Sequence, residues 1–307
     1  MTPELVVHEQ VARALARGRP VVALESTVIT HGLPRPQGVE VARELEAIVL
    51  RAGATPATIG VLDGAFRVGL THAELERLAA EHAAKLNLGN LAAGLASGAP
   101  GSTTVSATMF AAWRSGISVF ATGGIGGVHH GAAESGDVSA DLTALARYPI
   151  AVVCAGAKAM LDLAKTVEML ETLGVPVYGF GTDEFPVFYR RQSGLPVERR
   201  FDTVDDLARA IRTHFALGLG TGVVVGNPIP VADELPEDVY QAALAGALDD
   251  AREHGVRRRD TTPFVLERLR ERSGGRTVTA NLALLRNNAR LAAELASALA
   301  HERHEPA

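Results

Sequence analysis

The strongest constraint on this chain is a glycine-rich turn held between two short apolar runs. Residues 120–158 read FATGGIGGVHHGAAESGDVSADLTALARYPIAVVCAGAK. The run Ile117 to Ala121 enters the turn, and a second run, Ile150 to Ala155, delivers Lys158 just past its end. Apolar runs this short, bounded by turn residues, read as buried strands. Gly123, Gly124, Gly126 and Gly127 let backbone approach a ligand closely. Open α/β sheets place ligands at such strand ends. One segment therefore offers a cradle, two imidazoles (His129, His130), two carboxylates (Asp137, Asp141) and an amine.

The rest of the chain repeats this alternation. Apolar spacing predicts a helix over residues 4–17, stopped at Gly18. PVVALE, ending at Glu25, is a short buried strand, with Ser26, Thr27, His31, Gly32 and Pro34 behind it. A helix over Gln37 to Ala52 follows. Ala57 to Leu62 and Phe66 to Gly69 flank Asp63-Gly64, a hairpin signal. Thr71 with Glu74 forms a capping box opening a helix to about Ala84, and Lys85 begins a short extended piece. Gly101-Ser102-Thr103-Thr104 precedes an apolar helix, Val105 to Arg114. Ala159 to Leu173 reads as helix, Val175 to Phe180 as strand and Pro186 to Tyr189 as extended. Thr203 caps a helix to about Leu217, Thr221 to Val225 is a strand, and the last 70 residues are mostly helical. Strands alternating with helices imply a sheet covered by helices. No linker or charge run divides the 307 residues, so one large α/β domain over 1–307 is expected.

Composition narrows the function classes. The net charge of −5 lacks the basic footprint of a general nucleic-acid binder. The single cysteine, Cys154, excludes an intramolecular disulfide framework, and its place in AVVCAG predicts a buried structural thiol. No apolar run approaches the ~18 residues that span a bilayer, and no leader pattern opens the chain. A soluble cytoplasmic protein without membrane partners is expected.

Several side chains could carry chemistry, each beside a plainer role. Glu25 closes a strand of Val and Ala. It either reaches water and caps Ser26 and Thr27, or acts as an acid/base whose pKa the apolar setting raises. Lys158 is either a lysine snorkelling from the first turn of a helix or a partly desolvated nucleophilic amine. Ser102, Thr103 and Thr104 are either an ordinary N-cap, the commoner case, or an anion site. Lys85 gains weight as a phosphate partner. Asp137 and Asp141, four apart, could share a helix face and hold a hard cation, or simply cap and solvate. His129 and His130 lack metalloprotease spacing. Starting from Gly124, the sixth position of G-x-G-x-x-G is His129, and no phosphate-binding P-loop is present, so the nucleotide-loop readings fail.

Together the strings ALESTVITHGLPRPQ, GSTTVSATM, FATGGIGGVHHG, DVSADL, VVCAGAK, GNPIP and NLALLRNN resemble the pseudouridine-5′-phosphate glycosidase family, including its indigoidine synthase A-like members. They run from about residue 20 to 290, nearly the whole chain. The resemblance implies a three-layer α/β/α fold with a central mixed sheet, a homotrimer, and reversible cleavage of pseudouridine 5′-phosphate to ribose 5-phosphate and uracil with a divalent metal, usually Mn²⁺. Carried over by position, it implies that Lys158 forms the covalent sugar adduct, Glu25 moves the proton and Asp137 holds the metal with waters. Lys85, Val105 and Ser139-Ala140-Asp141 would contact substrate, and Asn281 would read the uracil. His129, Ser102, Thr103 and Thr104 would neighbour the phosphate or sugar. A C-glycoside offers no ring nitrogen or exocyclic oxygen to protonate at the scissile bond. A lysine imine with the opened sugar turns loss of uracil into a retro-Mannich step, with C5 protonated as it leaves.

The chain departs from the family pattern at two places. His130 stands where an arginine is usual, and Lys85 is followed by LNLGNL in place of a charged segment. These changes bear on the site entrance and the aglycone rather than on the sugar. A C-glycosynthase joining ribose 5-phosphate to another carbon nucleophile is the alternative enzyme. A non-catalytic sugar-phosphate sensor is the alternative from another class, and it would need neither Lys158 nor Glu25.

Overall fold

A computed structural model describes residues 4–32, 37–81, 83–256 and 261–301. Pro34 and the LPRP part of the first motif lie outside the described residues, as do both chain ends. The strands are β1 (Leu5–Val7), β2 (Val21–Glu25), β3 (Thr55–Leu62), β4 (Ala65–Val68), β5 (Ala84–Leu86), β6 (Gly101–Thr103), β7 (Val119–Ala121), β8 (Ala151–Cys154), β9 (Val177–Phe180), β10 (Arg199–Phe201) and β11 (Val223–Gly226). The helices are α1 (Glu9–Ala16), α2 (Gln37–Arg51), α3 (His72–Ala80), α4 (Leu91–Ser97), α5 (Val105–Arg114), α6 (Ala132–Ser135), α7 (Ala140–Leu145), α8 (Leu163–Thr172), α9 (Val204–Ala216), α10 (Glu237–Glu253), α11 (Thr261–Arg272) and α12 (Arg276–His301).

The described strands form one mixed sheet of eleven, in the order β1-β4-β3-β2-β7-β8-β11-β9-β10, with β6 on β3 and β5 on β6. Only the β3–β4 and β3–β6 pairings are antiparallel. The central strands β2, β7, β8 and β11 are apolar except for Glu25 at the end of β2, because helices cover both faces. Val22, Leu24, Val119, Ala121, Val153 and Val225 pack on one side, with α2, α9, α10 and α12. Val21, Ala23, Phe120, Val152, Cys154 and Val224 pack on the other, with α1, α5, α7 and α8. This strict alternation sorts the chain into the expected three-layer α/β/α arrangement.

Local signals hold where chemistry dictates geometry. Asp63 and Gly64 both have positive φ, 54° and 74°, and join β3 to β4 as a two-residue hairpin turn. Thr71 and Glu74 form the reciprocal capping box of α3, although α3 stops at Ala80, before Ala84 enters β5. The expectation fails where tertiary pairing decides. The helix expected over residues 4–17 is split, because Leu5–Val7 pairs with β4 as an edge strand. The helix expected from Ala159 begins only at Leu163, after a loop bridged to the glycine turn. Pro186 to Tyr189 is not extended throughout, since Phe188 turns with φ 58°. No helix among the described residues is long and apolar enough to cross a membrane.

Candidate active site

Three adjacent parallel strands, β2, β7 and β8, end side by side, with Leu24, Ala121 and Val153 in register. Their carboxyl ends deliver Glu25, the glycine turn and the 155–158 loop. The two loops are zipped by backbone bonds. Ala155 N–H donates to Gly123 O (2.9 Å), Ile125 N–H to Gly156 O (3.0 Å) and Lys158 N–H to Ile125 O (3.0 Å). Lys158 is thus held in a loop, not in a first helical turn, and its half-buried amine faces a cavity of about 690 Å³ shared with Glu25, Lys85, His129, Asp137 and Asn281.

Gly123, Gly124 and Gly126 line this cavity, and each is a close-approach position. A Cβ on Gly123 would meet Leu284, Leu285 and Asn281 at 3.3–3.5 Å. One on Gly124 would strike the Phe188 ring at 2.7 Å. One on Gly126 would collide with Ser139 and Asp141. Along the loop the groups packed against the glycines therefore change from leucine and amide, through an aromatic ring, to hydroxyl and carboxylate. Ser139 packs against Gly126, and His129 lies within electrostatic reach of Asp137, Lys158 and Lys85. Leu285, Phe188 and Asn281 pack against Gly123 and Gly124.

Burial raises the Glu25 carboxyl above its ordinary value, opposed by the Lys158 charge and by a short hydrogen bond from the Thr122 hydroxyl. Nearby Asp141 adds to the rise. Glu25 is therefore suited to carry a proton beside the Lys158 and Lys85 amines. Thr122 is itself fixed from behind. Asn288, fully buried on α12, donates to Thr122 O (2.8 Å) and accepts from Asn227 Nδ2 (3.0 Å). Burial holds the His129 imidazole below its ordinary value; Asp137 opposes this and Lys158 adds to it, so the ring favours the neutral form. Burial pushes the Cys154 thiol up to about 12, the inert structural thiol the sequence predicts.

The structure gathers Glu25, Lys85, Thr104, His129, Asp137, Ser139, Ala140, Asp141, Lys158 and Asn281 around one cavity. It leaves Ser102, Thr103 and Val105 outside the lining. Ser102 and Thr103 are buried in β6, and Thr103 is bound to Ser26, Thr27, Ile59 and Thr108. The Thr103 hydroxyl ties β6 to β3, the Ser102 hydroxyl lies 3.3 Å from the cavity-lining His31 Nδ1 and 3.4 Å from Ala84 O, and the Val105 side chain lies in the core. The open helix end expected at α5 is also closed. Asp141 accepts Ser106 N–H (2.9 Å) with one oxygen and Gly126 N–H (2.8 Å) with the other. Asp141 thereby joins the α5 N-terminus to the glycine turn. It does not share a helix face with Asp137, which precedes α7 in a loop.

Sequence reasoning missed Thr122, Asn288, Asn227 and Phe188. A hydroxyl directly after an apolar strand and paired asparagines in an apolar helix were the available signals for Thr122 and Asn288. Phe188 carried none. The LNLGNL segment also enters the wall: Asn90 accepts Asn87 N–H (2.8 Å) and donates to Lys85 O (3.0 Å), so asparagines shape the loop that carries Lys85.

Among the described residues no three His, Cys, Asp or Glu side chains gather as a metal cage. The Asp137 carboxylate lines the cavity and accepts no hydrogen bond from the described residues. A cavity-lining carboxylate without a hydrogen bond from the described residues fits a hard divalent cation that keeps most of its own waters.

The chain matches the family model described as "Indigoidine synthase A like protein" over residues 10–298. It is 52% identical over 298 residues to the pseudouridine-5′-phosphate glycosidase of Methylobacterium nodulans, covering 97% of this chain and 88% of that one. It is 53% identical over 291 residues to that of Roseobacter denitrificans, covering 94% of each. Among solved structures, the prealnumycin C-glycosynthase AlnA, in complex with ribulose 5-phosphate, superposes with a TM-score of 0.91 at 39% identity over 99% of both chains. An indigoidine synthase A-like protein of Thermotoga maritima gives 0.89 at 38% identity over 97% of both. With matches spanning nearly its full length, the chain belongs to the indigoidine synthase A-like family, in which the pseudouridine-5′-phosphate glycosidases are found.

Proposed function

We propose that this protein is a C-glycosidase that reversibly cleaves pseudouridine 5′-phosphate to ribose 5-phosphate and uracil. The observation that carries the reading is one cavity lined by both an amine, Lys158, and a carboxyl, Glu25, whose proton affinity burial raises. The relatives' names supply the substrate. Addition of the Lys158 amine at C1′ opens the ring C–O bond and leaves nitrogen beside the scissile C–C bond. The nitrogen lone pair forms C=N as C5 of uracil departs with the proton from Glu25. Water hydrolyses the imine, releasing ribose 5-phosphate and free Lys158. Lys85, His129 and Ser139 hold the sugar phosphate, and Asn281 holds the polar edge of the base. Asp137 would hold a divalent ion such as Mn²⁺, whose charge organises phosphate and water. A homotrimer in the cytoplasm completes the proposal.

The test is trapping. Borohydride added with ribose 5-phosphate should add the sugar's mass to the peptide carrying Lys158, and pseudouridine 5′-phosphate should yield free uracil. An adduct on Lys85 instead would overturn the assignment of roles. Tight ribose 5-phosphate binding without turnover would favour the sensor. A second enzymatic reading, C-glycosynthesis with another carbon nucleophile, is supported by the likeness to AlnA. Uracil inert in both directions, with another nucleophile accepted, would favour it.

A further inference from the structure

We propose that Phe188 sets the size of ring the site accepts as aglycone, an inference that rests on the C-glycosidase reading. Phe188 turns with φ 58°, a left-handed conformation that is an outlier for a bulky residue and tends to occur at ligand sites. The conformation is over-determined. Phe188 N–H donates to Ala155 O (2.8 Å), three residues before Lys158, and the ring meets Tyr189 edge-on at 4.7 Å. Tyr189 is fully buried against Tyr240, so the ring has rigid backing.

The ring edge packs directly against Gly124, where even a methyl group would strike it at 2.7 Å, and the ring, 3% exposed, borders the cavity. Gly124 follows Gly123, whose α-carbon faces Leu285 and the Asn281 amide. These groups line the cavity beside Gly123 and Gly124, whereas Ser139 and Asp141 pack against Gly126. A sugar phosphate anchored among Lys85, His129 and Ser139, with C1′ at Lys158, directs its aglycone along the turn toward Gly124 and Gly123. The aglycone there meets a polar amide at one edge, leucine beside it and the Phe188 ring as the end wall. A flat ring with hydrogen-bonding groups on one edge fits this slot, and Phe188 limits how far it extends.

The experiment compares wild type with Phe188→Leu and Phe188→Tyr in both directions. Each is assayed for cleavage of pseudouridine 5′-phosphate, and for coupling of ribose 5-phosphate to uracil or to a bicyclic phenol. Borohydride trapping of ribose 5-phosphate on Lys158 reads the sugar half alone. All three are non-glycine residues, so the backbone strain is common to them and the wall alone changes. Phe188→Leu should lower kcat/KM for pseudouridine 5′-phosphate roughly 2- to 13-fold, the equivalent of ~0.5–1.5 kcal/mol for a lost aromatic edge contact. It should raise coupling to the bicyclic ring relative to uracil by about tenfold or more. Trapping should be unchanged, and Phe188→Tyr, which keeps the ring, should retain the wild-type preference. Phe188→Met carries the same comparison should the leucine variant not accumulate as folded protein. Trapping that falls in step with cleavage, or an unchanged aglycone preference, overturns the assignment of Phe188 while leaving the C-glycosidase reading intact. A wild type that traps no sugar and releases no uracil overturns that reading and this proposal with it.

Discussion

Replacing Asp141 by asparagine isolates the contact that joins the α5 N-terminus to the glycine turn. The carboxylate is 5% exposed and accepts Gly126 N–H at 2.8 Å and Ser106 N–H at 2.9 Å. Hydrogen bonds to a charged group contribute about 1.5–3 kcal/mol each, so the pair contributes ~3–6 kcal/mol. Asparagine keeps one acceptor, worth ~0.5–1.5 kcal/mol as a neutral bond, and turns its NH₂ toward the other N–H. The expected destabilisation is therefore ~2–5 kcal/mol. At about 2.1 cal/mol/K of unfolding entropy per residue, a chain of 307 residues should lose roughly 3–8 °C of Tm. Calorimetry of wild type and Asp141→Asn at one protein concentration reads this directly. The turn should loosen with it, so Gly126 N–H should exchange with deuterium faster in the variant. A Tm within 1 °C of wild type, with Gly126 protection unchanged, would refute the assignment of Asp141 as the tie between these elements.

Glu25→Gln should block C–C cleavage yet still allow the Lys158 adduct from free ribose 5-phosphate; cleavage at the wild-type rate would remove Glu25 as the acid. The same variant has a signed effect on stability. The folded carboxyl lies above its unfolded value of about 4.3, so its contribution is complete below that pH and is lost as pH rises through the folded value. The Tm of Glu25→Gln should therefore gain on wild type as pH climbs above about 4.3, and a gap that is flat with pH would contradict the buried setting. Chelation should abolish turnover and Mn²⁺ should restore it, whereas an Asp137→Ala enzyme with full activity and metal dependence would misplace the ion. Pseudouridine without its phosphate should bind roughly 10- to 150-fold more weakly, the ratio for one charge-assisted contact of ~1.5–3 kcal/mol, and equal turnover of both would count against the Lys85 end as the phosphate pocket.

The sequence by itself determined what depends on neighbours along the chain. Short runs of Val, Ala and Ile named the buried strands, Asp63-Gly64 named its hairpin, and Thr71 with Glu74 named its cap, because turn and cap geometry lie in a few adjacent residues. The long ordered motifs were sufficient to identify the family, and Glu25 and Lys158 stood out as ionisable groups ending apolar strands. Tertiary structure decided everything set by partners distant in sequence. Leu5–Val7 became a strand because β4 offered an edge, although its local spacing suited a helix. Ser102 and Thr103 resembled an anion site in isolation, but β3 and β5 enclosed them and the Thr103 hydroxyl was drawn into the sheet. Asp141 had the composition of a metal ligand, and only folding placed two backbone N–H groups against it. Phe188 was one apolar residue among many until the chain turned it against Gly124. A backbone or hydroxyl donor has no role in sequence alone, because the group that satisfies it is chosen when the layers pack.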